Sequence, residues 1–467
     1  MASILVLATD AIGRRMSGTG IRYWNLARVL ASEHQVTLAA PSPVDISPPD
    51  GIKLCWFDGI ADSRDELPAW QAGLLQSREH DIVVAQDIPY YHCDPETLQS
   101  AHLVIDLYAP AMLEKLEVAR IRPERGEQEQ ADDVRSLNRL LTLGDYFICA
   151  SERQRDFWLG ALAAAGRLRA DHARLDPELR TLIDCVPFGH PEQTPEKTGP
   201  GPRSAFPEIG ENDRVLLWNG GLWTWLDPLE AIRAVAGLTD EMPDLRLVFM
   251  GTKSPSQIPG DLDIATEAKE LADELGVLEQ NVFFNDWVDF DDRHNWLLDA
   301  DAVISLHVPS AEARFSYRTR LLDVLWSQTP VVASEGDVLA EMVDQMGIGV
   351  TAPPGDTFAL QNAIRQVLNP AKNTTMRAAF ADHAGEHTWE WAAEPLLSYC
   401  RQPDRVSSTR PVTPQDEYIH RLERHYTETA EYARHLERVL ATQQAGIEAS
   451  LSHRVSRTIR RLLPGVE

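Results

Sequence analysis

The stretch EARFSYRTRLLDVLWSQTPVVASEGD, residues 312–337, decides how this chain folds. Just before it, Ala302–Leu306 is a short apolar run of strand length. A polar loop with Arg314, Arg318 and Arg320 follows, then Arg320–Ser327 at helical spacing, then a second apolar run, Pro330–Ala333. Apolar runs of four or five residues without polar alternation are strands buried on both faces. Strand, loop, helix and strand in that order make a parallel βαβ unit.

Working outward, the same rhythm fills most of the chain. Arg214–Trp218, Leu245–Met250, Val282–Phe284 and Ile348–Thr351 read as further strands. Helical patterns lie at Leu229–Ala236, Ala265–Leu275 and Thr357–Leu368. In the first half the strands are Ile4–Ala8, Val36–Ala39, Lys53–Phe57, Ile82–Ala85, His102–Leu107, Tyr146–Ala150 and Leu182–Val186. Ile21–Ser32, Pro110–Ala119 and Glu152–Ala165 read as helices between them. Residues 191–213 are rich in Pro, Gly and polar side chains and read as a linker. The expected fold is therefore α/β: two Rossmann-like, doubly wound domains facing a cleft, at 1–190 and 214–400. A second break at 401–414 precedes a helical tail, 415–467. Ile419, Leu422, Tyr426, Thr429, Ala433, Leu436 and Leu440 form a heptad seam suited to self-association. Leu451, Val455, Ile459 and Leu462 carry arginines around them. Such a helix packs on protein or lies on an anionic membrane surface.

Composition narrows the function. A length of 467 residues suits two or three domains of roughly 100–200 residues. A net charge of -27 repels nucleic-acid phosphates, so no nucleic-acid role is expected, and an anionic ligand needs a local basic pocket. The five cysteines are scattered without a CxxC pair, as in a cytoplasmic protein with reduced thiols. No run approaches the roughly 20 apolar residues of a membrane span.

In doubly wound sheets ligands sit beyond the carboxyl ends of the strands. Three turns there carry candidate chemistry. Gly18-Thr19-Gly20 opens a helix, where close backbone approach and free N–H groups favour an anion. The turn lacks the third glycine of a dinucleotide fingerprint, which disfavours hydride transfer. Gly220, Gly221 and Trp223 follow the strand at 214–218, and Gly251 follows the next one. Trp223 and Trp225 either stack on a base or sugar or close the domain interface. Ser316, Tyr317, Arg318 and Arg320 surround the start of the helix at 320. The arginines are forked donors for a diphosphate. Asp323 either accepts hydrogen bonds from a ribose or pairs with Arg320 or Ser327. Asp289-Phe290-Asp291 has the look of a metal-binding DxD but sits where a helix cap is expected.

These segments resemble the retaining GT-B glycosyltransferases of family 4 over residues 1 to 400. The glycine turn Asn219-Gly220-Gly221-Leu222-Trp223 and the loop–helix–PVVA unit carry the likeness. Asp106-Leu107-Tyr108, CASERQRDFWLGAL at 149–162, Val186-Pro187-Phe188-Gly189 and FSYRTRLLDVLW at 315–326 resemble a bacterial branch tied to polysaccharide synthesis. The resemblance implies a nucleotide-sugar donor held by the second domain and a saccharide or lipid-linked acceptor held by the first. It implies no metal or other cofactor and charge stabilisation of the leaving diphosphate. Asp323 falls at the position of the family's ribose-binding glutamate. The earlier glutamate falls on Phe315, with Glu312 nearby. The Arg and Lys that bind diphosphate in the family are replaced by Gly221 and Leu226. Arg318 and Arg320 then take over the diphosphate, or the donor binds differently, or catalysis is lost and a sugar-nucleotide-binding scaffold remains. The first is preferred. By position Asp106 resembles the residue that contacts donor sugar or acceptor; the alternative is a cap for the helix at Pro110.

Overall fold

The computed structural model describes residues 1–41, 44–58, 66–89, 93, 95–121, 123–253, 261–383, 385–403 and most positions between 421 and 440. Seven parallel strands form the first sheet: β1 (Ser3–Leu7), β2 (Gln35–Ala40), β3 (Ile52–Trp56), β4 (Ile82–Ala85), β5 (His102–Asp106), β6 (Tyr146–Cys149) and β7 (Ile183–Cys185), in the order β3-β2-β1-β4-β5-β6-β7. The second sheet holds β8 (Arg214–Trp218), β9 (Leu245–Phe249), β10 (Val282–Phe284), β11 (Ala302–Ser305), β12 (Val331–Ser334) and β13 (Gly349–Ala352), in the order β10-β9-β8-β11-β12-β13. β4, β6, β8, β11 and β12 are buried on both faces, apart from the first residue of β8, because helices cover each side of both sheets. The α/β, two-domain architecture read from the sequence is thus the one observed, with strand ends displaced by a residue or two.

Strand order reverses between β1 and β4 in the first sheet and between β8 and β11 in the second. At such a point the connections leave in opposite directions and open a crevice at the strand ends. Both crevices face the same interdomain cleft.

Two connections differ from expectation. Residues 191–213 are not a free linker. Thr198 and Gly199 donate backbone N–H bonds to Asn295 Oδ1 at 2.7 and 2.8 Å, and Arg203 pairs with Asp301 at 2.9 Å, so the segment is strapped to the second domain. The helix Trp389–Arg401 falls in the range expected for the second domain but packs on the first. Tyr399 stacks on Tyr146 with ring centres 4.3 Å apart, and Arg401 pairs with Glu33 at 2.6 Å. No helix of the described residues is long and apolar enough to cross a membrane. In the tail, Leu422, Tyr426, Leu436 and Leu440 are helical and exposed. Ile419 and the arginine-rich end at 451–467 lie outside the described residues.

Candidate active site

The loops after β1, β4, β8 and β11 meet in the cleft, which has two lobes. One, of about 900 Å³, lies over the second sheet and is bounded by Asn219, Gly220, Gly221, Gly251, Trp287, Phe290, Arg293 and Asp323. The other, of about 1090 Å³, lies toward the first domain and is bounded by Asp10, Gln86, Tyr108, Glu114, Trp225, Tyr317 and Arg318. Ser17, Gly18, Phe188, Trp223, Thr319 and Arg320 line both lobes, so they mark the passage between them.

Two helices begin at this passage, Gly18–Ala31 from the first domain and Arg320–Ser327 from the second. A Cβ added at Gly18 would come 3.9 Å from Thr319 Oγ1, so the two starts face each other. Neither has a side-chain cap. Ser17 is turned away to Asp10. Several helices elsewhere are capped, by Ser151, Asp227, Asp337, Asp356, Asn369 and Thr388, while others, such as Leu67–Gln76 and Arg293–Asp299, are not. The positive ends of two helix dipoles, with free N–H groups, therefore converge on one passage.

Arg320 lies in the same place. It donates from Nη2 to the Gly221 carbonyl at 2.9 Å, and its guanidinium rests 5.3 Å over the Trp218 ring. Its buried Nη1 has no partner among the described residues, and none of their carboxylates forms an ion pair with it. Burial, then repulsion from Arg318, lowers its pKa to about 9, so it stays cationic at neutral pH. The turn that receives it needs glycine because Gly220 has φ +113°, while a Cβ there would make only ordinary contact with Arg320.

Arg318 is already engaged, contrary to its expected role as a diphosphate clamp. Its guanidinium is bidentate to the buried Glu312 at 2.9 and 2.6 Å, with Asp337 at 3.8 Å behind it. Ser316 gives its hydroxyl proton to the same Glu312 rather than to the cleft. Beneath them His307 stands 3.8 Å from Asp337, its pKa lowered by burial and by Arg318. This network holds the loop 307–319 in place.

Asp106 is also corrected. It does not face the cleft. It is 1 % exposed and holds Arg22, which is 0 % exposed, by two hydrogen bonds of 2.6 and 2.9 Å. Arg22 in turn lies between the rings of Tyr108 and Phe188, 4.9 and 5.2 Å from their centres. Desolvation works against the Arg22 charge, but Asp106 outweighs it and raises the pKa. The pair supports the loop that carries Tyr108; it forms no cap. The Asp289 side chain caps no helix either, and pairs with Arg15 of the first domain at 3.4 Å.

The glycines divide by role. Gly18, Gly220, Gly221 and Gly251 line the cleft. A Cβ at Gly251 would meet the Trp287 ring at 2.7 Å, so glycine there lets the indole lie on the backbone. Gly20, expected at the ligand, instead turns inward, and its Cβ would strike the Ala11 carbonyl. Gly20→Ala should cost about 1–3 kcal/mol by overpacking. Gly73→Ala, in an open helical position, should be neutral or stabilising. Urea denaturation of the two variants distinguishes them. Thr19 keeps its hydroxyl on the rim, 2.6 Å from the Tyr108 hydroxyl.

Asp323 lines the first lobe and accepts one hydrogen bond, from Arg293 Nε at 3.2 Å. Neither Arg320 nor Ser327 is its partner. Trp223 and Trp225 stack on each other, centres 5.6 Å apart and nearly parallel, on the rim of the second lobe. Trp287, Arg293, Asp10, Gln86 and Glu114 are not singled out by the sequence. Gln86 directly follows β4 and Trp287 comes three residues after β10, so the strand-end rule reaches both. Among the described residues no group of three or more His, Cys, Asp or Glu is placed to hold a metal ion.

Comparison with known proteins places this geometry. Residues 213–370 match the family model described as glycosyl transferases group 1. A curated relative, D-inositol 3-phosphate glycosyltransferase 1 of Catenulispora acidiphila, is 30% identical over 261 residues, 54% of this chain and 60% of that protein. The aligned region thus spans less than two thirds of the relative's length. Among solved structures, a sucrose-phosphate synthase of Thermosynechococcus elongatus superposes with a TM-score of 0.61 at 14% identity, over 86% of this chain and 99% of that one. Anabaena HepE, solved in complex with UDP and glucose, gives a TM-score of 0.59 at 18% identity, over 86% of this chain and 100% of that one. The second domain is thus similar to the glycosyl transferases group 1 domain over residues 213–370, and the chain has the two-domain GT-B fold.

Proposed function

We propose that the protein is a glycosyltransferase that moves a sugar from a nucleotide-sugar to a saccharide or lipid-linked acceptor, with retention, in the synthesis of a cell-surface polysaccharide or glycoconjugate. The observation that carries this reading is Arg320: a cation with a free Nη1, set between two uncapped helix starts where the two lobes join. A diphosphate at that passage puts the nucleoside in the lobe with Trp287 and Asp323. It puts the sugar in the lobe with Trp225 and Tyr317. The leaving group of the reaction is that diphosphate, and fixed donors aimed at it lower the barrier. One buried cation supplied by the helix does the work of the Arg and Lys missing at Gly221 and Leu226. The HepE complex makes UDP-glucose the first donor to test.

The test begins with UDP, GDP and ADP and their sugars in a thermal-shift screen, where a ligand that binds the native state raises Tm by mass action. In this reading Asp323 Oδ2 accepts from a ribose hydroxyl. Asp323→Ala then weakens the ribonucleotide by roughly tenfold or more, since a hydrogen bond to a charged group is worth about 1.5–3 kcal/mol. The 2′- and 3′-deoxy nucleotides should lose far less, so the ratio of ribo to deoxy affinity by calorimetry collapses. An unchanged ratio would remove Asp323 from the ribose. Nucleotide binding without turnover of any sugar would favour the scaffold instead.

A further inference from the structure

The second lobe has a charge pattern that discriminates among acceptors. Among the described residues, its lining cations are Arg318 and Arg320. Glu312 holds the Arg318 guanidinium in a bidentate pair, with Asp337 3.8 Å behind. Arg320 sits at the passage between the lobes, where a donor diphosphate takes up its charge. Two lining carboxyls remain, Asp10 and Glu114. Asp10 accepts from the Ser17 hydroxyl and the Ala11 N–H. Glu114 enters from the helix Ala111–Ile121 of the first domain, and its carboxyl has no hydrogen bond or ion pair with any described residue. A partly buried carboxyl that faces a cavity and lacks a donor is open to the hydroxyls of a ligand.

The rest of the wall suits a ligand of that kind. The Gln86 side-chain carbonyl accepts from the Thr9 hydroxyl at 3.2 Å, and its amide nitrogen donates to no described residue. The stacked indoles of Trp223 and Trp225 and the ring of Tyr317 supply apolar faces. Aromatic walls with a few placed polar groups hold and orient an uncharged, hydroxyl-rich molecule. A phosphate monoester carries roughly −1.5 to −2 charges at neutral pH and calls for cationic donors. In this lobe it would meet two carboxyls and the diphosphate of the donor.

We propose that the second lobe takes an uncharged sugar residue as acceptor in preference to a sugar phosphate, and that Glu114 selects it by accepting hydrogen bonds from its hydroxyls. The inference rests on the reading of the cleft as a sugar-transfer site. The hydroxyls held by Glu114 are ones that do not react. It therefore takes no proton, and the reacting hydroxyl still attacks from the face that the diphosphate leaves. Burial first, then the negative charge of Glu312, raises the Glu114 pKa to about 7, against the pull of Arg318 and Lys115. Hydroxyl donors favour the ionised carboxylate and offset that cost, whereas a phosphate adds to it.

The experiment uses the full chain with UDP-glucose, GDP-mannose and ADP-glucose as donors. The acceptor probes are glucose, mannose and N-acetylglucosamine, each against its 6-phosphate. Nucleotide release above the rate in water alone is measured for the wild type, Glu114→Gln and Glu114→Leu, and binding of UDP, GDP and ADP is measured by calorimetry. In the wild type a neutral sugar should exceed its 6-phosphate in kcat/KM by roughly tenfold or more, the scale of one like-charge contact. Glu114→Gln keeps the shape and a hydrogen-bonding oxygen but removes the charge, so the ratio should fall to within about threefold. Glu114→Leu should lose roughly tenfold or more with the neutral sugar, since hydrogen bonds to a charged group are removed. Nucleotide affinity within about twofold of the wild type shows that both variants are folded, because only native protein binds. A general loss of structure would lower both members of a pair alike and leave their ratio unchanged. A 6-phosphate used as well as or better than its neutral sugar overturns the inference while the donor site stands. So does a ratio that Glu114→Gln leaves unchanged, or nucleotide binding with no response to any neutral sugar. A wild type that binds none of the nucleotides overturns the donor-site reading and this inference together.

Discussion

Asp106→Ala is expected to destabilise the protein by about 3–5 kcal/mol, the usual consequence of stranding a buried charge whose partner is removed. Arg22 and Asp106 have fully buried side chains and share two short hydrogen bonds. Without the carboxylate the guanidinium keeps only the Pro187 carbonyl, at 3.3 Å, and the two flanking rings. A loss of that size is a large part of the roughly 5–15 kcal/mol that holds an ordinary domain together. The double variant Arg22→Met with Asp106→Leu removes both charges and should recover much of it, since an apolar pair of similar volume often replaces a buried ion pair at little cost. Urea denaturation of the three variants gives the answer. A catalytic Asp106 predicts the reverse, a folded single variant without activity. If Asp106→Ala unfolds at the wild-type urea concentration, the pair is not structural.

Arg320→Gln should weaken UDP, or whichever nucleoside diphosphate binds, by roughly 10- to 150-fold, the worth of one or two hydrogen bonds to a charged group. The fold should not suffer, because this arginine is a burden to the free protein. Burial and Arg318 lower its pKa, so the charged form is less stable here than in water. An anion removes that penalty on binding. The sign with pH follows. Arg320 is charged below about pH 9 and loses its proton above it, so diphosphate affinity should fall as pH rises through 9 in the wild type. The fall should be absent in Arg320→Gln. Arg318→Gln should behave differently, losing stability because Glu312 is left buried without its fork. Equal nucleotide affinity in Arg320→Gln and the wild type, by calorimetry at pH 7.5, would take the cation out of the donor site.

The sheets were legible because a strand buried on both faces writes itself as an uninterrupted apolar run, and Ile82–Ala85, Arg214–Trp218 and Val282–Phe284 end where such runs end. The cleft was legible too, since strand order places the loops after β1 and β8 at the reversal points. The roles of single residues were not. Arg318 and Arg320 are two positions apart, yet one precedes the helix and closes on Glu312 while the other lies inside it over the glycine turn. Gly18 and Gly20 differ in the same way, one facing the gap and the other the Ala11 carbonyl. Asp106 occupies the expected strand end, but its partner comes from a helix 84 residues earlier. Arg22, beside Tyr23 and Trp24 in the helical pattern Ile21–Ser32, was the available sign of a buried carboxylate partner.

The helix Trp389–Arg401 has a consequence for how the molecule can come apart. The chain passes from the first domain to the second near residue 190 and returns near residue 388, and the two crossings run side by side. His190 donates to the His387 carbonyl at 2.9 Å, Trp389 donates to the His190 carbonyl at 3.1 Å, and a Cβ at Gly189 would collide with the Trp389 backbone. The halves are therefore hung like a door with both hinges on one post. They can swing about that edge but cannot twist freely past each other. A gene cut at residue 190 would not release two working pieces, for the piece ending there would lack the helix that covers Tyr146 and Glu33. A helix made only after the second domain completes the domain that emerged first.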